Sequence, residues 1–125
     1  MSLIKAITMI QPDTIEVVYH DHIKIDVEGI REGFIQLDKF SEMKRFKKLI
    51  IIGKDTEISK EARTYGHSES KLRKNSIIAE ALVVHTLPQK MAANFYTAFI
   101  KDTYPTKYFT EIEKAKEWLA AINDN

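Results

Sequence analysis

The chain has 125 residues, a net charge of +1 and no cysteine. That length fits one domain able to bury roughly two thirds of its unfolded surface. A near-neutral balance gives no bulk attraction to nucleic acid or anionic membranes, and a chain without cysteine forms no disulfide, thiolate nucleophile or cysteine metal site.

The opening segment, MSLIKAITMIQPD, lacks a basic region followed by a long apolar core, so no signal peptide is expected. No apolar stretch approaches the ~20 residues that cross a bilayer, and a cytoplasmic chain is the expectation. Leu3 to Ile10 is apolar-rich and closes at Pro12 and Asp13, while Thr14 to Tyr19 is rich in β-branched residues. Together they predict a hairpin. Val27, Ile30, Phe34, Leu37 and Phe40 then recur at spacings of three and four, the apolar stripe of a helix, with Asp26 at its N-cap. Gly29 and Gly33 lie four apart on that helix and could admit a close neighbour, although tolerated glycines are the simpler expectation. The basic run Lys44-Arg45-Phe46-Lys47-Lys48 could contact phosphate groups. Its place at a helix C-terminus, where cations complement the dipole, favours a solvated helix end.

Three strand-then-helix units follow, the pattern of a parallel sheet with helices packed on it. Leu49 to Ile52 stops at Gly53, crosses a polar loop and enters a helix at Ser59. That helix runs to the early seventies with Ala62, Tyr65 and Leu72 inward, unless Gly66-His67-Ser68 stops it early. ALVVH at 81–85 leads to a helix with Pro88 in its first turn and a buried face of Met91, Phe95, Ala98 and Phe99. TKYF at 106–109 leads to a last helix with a Thr110-to-Glu113 capping box and an inward stripe of Ile112, Ala115, Leu119 and Ile122. Trp118 sits beside that stripe and should cover the core edge. The order is β-β-α-β-α-β-α-β-α, an α/β fold in one domain over 1–125. Its hairpin leads into a mixed, mostly parallel sheet flanked by four helices.

That order resembles the STAS domain of bacterial anti-sigma-factor antagonists. It is more similar to a set of bacterial SpoIIAA-like proteins of unassigned function, also labelled STAS/Sec14-like. The likeness is carried by ISKEAR at 58–63, by ALVVHTLPQKMAANF at 81–95 with Asn94-Phe95 in the following helix, and by PTKYFTEIEKAKEWL at 105–119. The resemblance implies a STAS-like fold and pairing into a homodimer. In the antagonists a regulatory serine follows an aspartate at the start of the helix after the third strand. Here Ser59 falls near the aspartate position and Lys60 and Glu61 replace the serine, so Ser59 is read as a helix cap rather than a phosphorylation switch.

In open α/β sheets ligands sit beyond the carboxyl ends of the parallel strands. That edge comprises Gly53-Lys54-Asp55-Thr56, His85-Thr86 and Phe109-Thr110, with helix starts at Ser59 and Pro88. Helix-start amides there could hold an anion, with added charge from Lys54 or Arg63. The candidate ligand or partner residues are therefore Lys54, Asp55, Ser59, Arg63, His85, Thr86 and Asn94. The chain's four glycines form no phosphate loop, so nucleotide binding is not expected. His20-Asp21-His22 could hold a metal, since strand positions two apart share a face, but a solvated turn is favoured. No metal and no cofactor are expected. His67 reads as a helix-end residue where a cationic ring is favourable. His85, ending a buried strand, reads as a hydrogen-bonded structural histidine.

No nucleophile–base arrangement stands out; Asp55, Glu57, Glu61 and Arg63 are close in sequence, but a polar loop entering a helix has the same composition. The leading expectation is a non-catalytic regulatory or binding module of the STAS-like type, acting through protein contacts on the first two helices or with itself. The alternative is a carrier or sensor of a small apolar or lipid-like ligand, as the Sec14-like label implies. That needs a cavity of ~300 Å³ or more, with Phe34, Phe40, Phe95 and Phe99 as candidate lining.

Overall fold

A computed structural model describes residues 2–42 and 44–124 of the chain. The first two strands, β1 (Ile4–Gln11) and β2 (Thr14–Tyr19), form the expected antiparallel hairpin around Pro12 and Asp13. A two-residue strand, β3 (Lys24–Ile25), precedes helix α1 (Val27–Ser41). Asp26 caps that helix, its carboxylate accepting from Gly29 N at 2.9 Å. Next come β4 (Phe46–Ile51), another two-residue strand β5 (Glu57–Ile58), and α2 (Lys60–Leu72). The chain finishes with β6 (Ile77–Val83), α3 (Leu87–Ile100), β7 (Thr106–Phe109) and α4 (Ile112–Ala120). The two short strands are absent from the sequence-based order; they pair in parallel with each other and tie the approach to α1 to the approach to α2.

The main sheet has the order β1-β2-β4-β6-β7, with every pair after the hairpin parallel. β4 and β6 are covered on both faces, which is why they read as apolar runs. On one face Ile15, Val17 and Ile50 meet Phe34 and Leu37 of α1 and Tyr96 and Ile100 of α3. On the other, Leu49, Ile51, Ala79, Ala81 and Val83 meet Ala115 and Leu119 of α4. Trp118 borders this second layer, its ring 5.7 Å from that of Phe109.

Four side-chain expectations are corrected. Phe46, Lys47 and Lys48 are buried in β4 rather than solvated at a helix end. Each lysine has a partner that makes this tolerable: Lys47 Nζ donates to Leu119 O at 2.7 Å, and Lys48 faces Glu80. Helix α2 runs through Gly66-His67-Ser68, and its inward side is Ala62 and Ser70, leaving Leu72 77% exposed. Helix α3 buries Ala93, Tyr96 and Ile100, while Met91, Phe95 and Phe99 point outward. Both sides of α3 are apolar, so periodicity does not choose between them; the buried partners of the Tyr96 hydroxyl do. Helix α4 starts at Ile112 with Glu111 in the cap position and no side-chain cap bond, one residue too late for Thr110 to serve. The reciprocal capping box lies instead at the start of α3, between Thr86 and Gln89.

Candidate functional site

Helix α2 rests on α1 and α3 rather than on the sheet. Its inner stripe is Ala62, Gly66 and Ser70, at helical spacing of four and with little side-chain volume. Side chains do not fill the space beneath. A cavity of about 570 Å³ lies between this helix and the sheet. Its sheet wall is Val17, Tyr19, Ile50, Ile52, Leu82 and Val84; its α1 wall is Ile30, Gly33, Phe34 and Leu37; its α3 wall is Ala92, Ala93 and Tyr96. Leu82 shows the effect: it sits mid-sheet between buried Ala81 and Val83 yet is itself half-buried, because it faces the cavity.

Polar side chains gather at two places. The rim holds exposed Asp55, Glu57 and Arg63, with Thr86 and Gln89 from the start of α3. The rim is braced by Gln89, whose Nε2 donates to Gly53 O at 3.0 Å and Thr56 O at 2.8 Å. Gln89 Oε1 accepts from His85 N at 2.7 Å. Gly53 is required at this crossing, because a Cβ there would stand 2.1 Å from His20 O. At Gly33 a Cβ would lie 2.6 Å from the Tyr19 hydroxyl, so the glycine leaves room for that side chain.

The interior polar group is built on Lys48 and Glu80, register partners on β4 and β6. Lys48 Nζ lies 3.5 Å from Glu80 Oε1, with both side chains 4% exposed or less. The same carboxylate oxygen accepts from the Tyr104 hydroxyl at 2.9 Å and from the Tyr96 hydroxyl. Tyr96 also reaches Ser70 Oγ at 2.8 Å. The ammonium stands over the Phe34 ring, 4.7 Å from its centre, and the Arg73 guanidinium lies 4.4 Å from the same centre. Burial pushes the Lys48 ammonium below its ordinary range, and Glu80 opposes that shift. Burial, with the Glu80 charge second, holds the Tyr96 and Tyr104 phenols well above theirs.

Of the seven residues expected at the strand edge, Asp55, Arg63 and Thr86 line this cavity. Lys54 and His85 are exposed beside it, and Asn94 is exposed on α3. Ser59 caps α2, accepting from Ala62 N at 3.1 Å. Among the described residues His85 makes no side-chain hydrogen bond, contrary to the structural role expected of it. His67 is not at a helix end: it sits mid-helix on the cavity wall, its ring 5.1 Å from those of Tyr96 and Phe99. Burial there lowers its pKa, with Arg63 adding to the effect, so the neutral ring is favoured. His22 pairs with Asp55 at 3.5 Å, and no group of three or more metal-type ligands occurs among the described residues.

Sequence reasoning missed the Lys48–Glu80 pair, although a signal was there. Glu80 is a lone carboxylate inside IIAEALVV, and a charge embedded in a buried strand requires a partner.

No helix among the described residues is long and apolar enough to cross a membrane. No curated protein matches the chain. Among solved structures it is similar to an uncharacterised protein of the DUF3478 family with a SpoIIAA-like fold, from Shewanella loihica PV-4. The TM-score is 0.64 at 18% identity, covering 93% of this chain and 91% of the other. The fold is thus SpoIIAA-like, as the sequence resemblance implied. A family description matches residues 8–123, and the chain belongs to the DUF7793 family, a domain of unknown function.

Proposed function

We propose that this chain is a non-catalytic binding module that takes up a small, largely apolar molecule beneath α2. Of the two roles open from sequence, the carrier or sensor gains most from the geometry. One observation supports it: a predominantly apolar-lined space of about 570 Å³ between α2 and the sheet. That volume falls within the ~300–1,000 Å³ of small-molecule sites, which are mostly apolar with a few placed polar groups, as this one is. The lining differs from expectation, since Phe34 contributes but Phe40, Phe95 and Phe99 do not.

A second reading, contact with a protein, draws on a different face. Leu87, Met91 and Phe95 are spaced by four along α3 and are 70%, 54% and 73% exposed; Phe99 continues the row at 43%, its ring against His67 and Lys71 of α2. A ridge at that spacing interdigitates with a like ridge, which suits a second copy of this chain. Native mass spectrometry of protein purified gently from its own host tests both. A stoichiometric small-molecule mass is expected on the chain; a spectrum free of added mass, from cells able to supply such a molecule, counts against the carrier reading. A dimer that survives Phe95→Asp unchanged would remove the second.

A further inference from the structure

The interior end of the cavity presents one charge of each sign, Lys48 and Glu80, with unused hydrogen-bonding capacity; the nearby Arg73 is outside the lining and is paired with Asp38 and Glu69. Lys48 brings three N–H donors, and among the described residues the one side-chain oxygen paired with it is Glu80 Oε1, at 3.5 Å, beside the Phe34 ring. Glu80 receives Lys48 and both tyrosines on Oε1, leaving Oε2 with no protein donor among the described residues. Among those residues no sealed side-chain nitrogen or oxygen lacks a partner, so Oε2 is not sealed. Both residues line the cavity, and His67, the remaining titratable group on the inner α2 wall, favours its neutral form.

Resting on the cavity reading above, we infer that the ligand carries a neutral polar head that both accepts and donates a hydrogen bond, such as a hydroxyl or a primary amide. Its acceptor would face the Lys48 ammonium and its donor the free oxygen of Glu80. A carboxylate head would gain Lys48 but meet Glu80 at almost the same distance; an amine head would meet the reverse. Either ion would also lose its hydration in an apolar enclosure, with no net opposite charge to compensate.

The test uses the neutral fluorophore prodan as reporter, displaced by four compounds with one tail: decanol, decanamide, decanoate and decylamine. In the natural chain decanol and decanamide should bind at least about tenfold tighter than either ion. Glu80→Gln should then raise decanoate relative to decanol by about tenfold, and Lys48→Met should do the same for decylamine. Equal displacement by all four, or a ranking unchanged in both variants, overturns the inference while leaving the cavity in place. Absence of saturable prodan binding overturns the cavity reading itself. Should either variant fail to fold, the ranking in the natural chain still decides.

Discussion

Glu80 shows how much one residue can organise. It holds Lys48, Tyr96 and Tyr104 on a single carboxylate oxygen in a setting where a lone charge would be costly. Glu80→Ala is therefore expected to destabilise the fold by about 3–5 kcal/mol, measured by urea denaturation, because it strands Lys48. A loss below about 1 kcal/mol would mean that the ammonium is already satisfied elsewhere. The phenols make a second prediction. Tyr19, Tyr96 and Tyr104 are all raised from 10.0 by burial. The folded state then keeps protons that the unfolded state releases above about pH 10, so stability is full below that pH and falls as pH rises beyond it. In an alkaline titration, three of the five tyrosines should develop phenolate absorbance together with unfolding, not before it. Early ionisation of all five would contradict the buried cluster. The residue scale was also where sequence was hardest to read. Lys48 sits in a run of five residues that are basic but for Phe46, which looks like solvent-facing chemistry until β6 is known to lie alongside.

Elements were far more legible. Asp26 and Ser59 cap α1 and α2 as their side-chain chemistry dictates, and the hairpin and three strand–helix units all form. What escaped were choices between two acceptable faces. Helix α3 carries aromatic and aliphatic residues on two sides, so its spacing permits either Phe95 or Tyr96 inward, and a hydroxyl network from other elements decides. Register and strand length escaped too, since β4 and β6 gain their charged residues only as a pair. Two glycines give a contrasting prediction. Gly53→Ala should cost about 2–4 kcal/mol, because the added methyl meets backbone that cannot move aside. Gly66→Ala, within α2 and 3.6 Å from Ile30 Cγ2, should stabilise by about 0.5–1 kcal/mol. Equal effects from the two changes, read as thermal midpoints, would show that the crossing at His20 is looser than described.

At the scale of the molecule, the strand-edge rule located the rim of the site but not its interior. Asp55 and Thr86 were in reach of that rule because they follow β4 and β6; Leu82, Ala92 and Ser70 were not. Nothing in a sequence states that Ala62, Gly66 and Ser70 will face one another's neighbours across empty space, because a small-residue stripe suits tight packing equally well. The cavity arises from where α2 is held, by α1, by α3 and by the β3–β5 pairing. The most direct measurement is a prodan titration of the natural chain beside Leu82→Trp, which fills the cavity from its sheet wall. Saturable binding at one site per chain, lost in the variant while its fold and α3 surface remain intact, is the predicted result. Binding that persists unchanged in Leu82→Trp would place the probe on the exposed face of α3 and contradict the account.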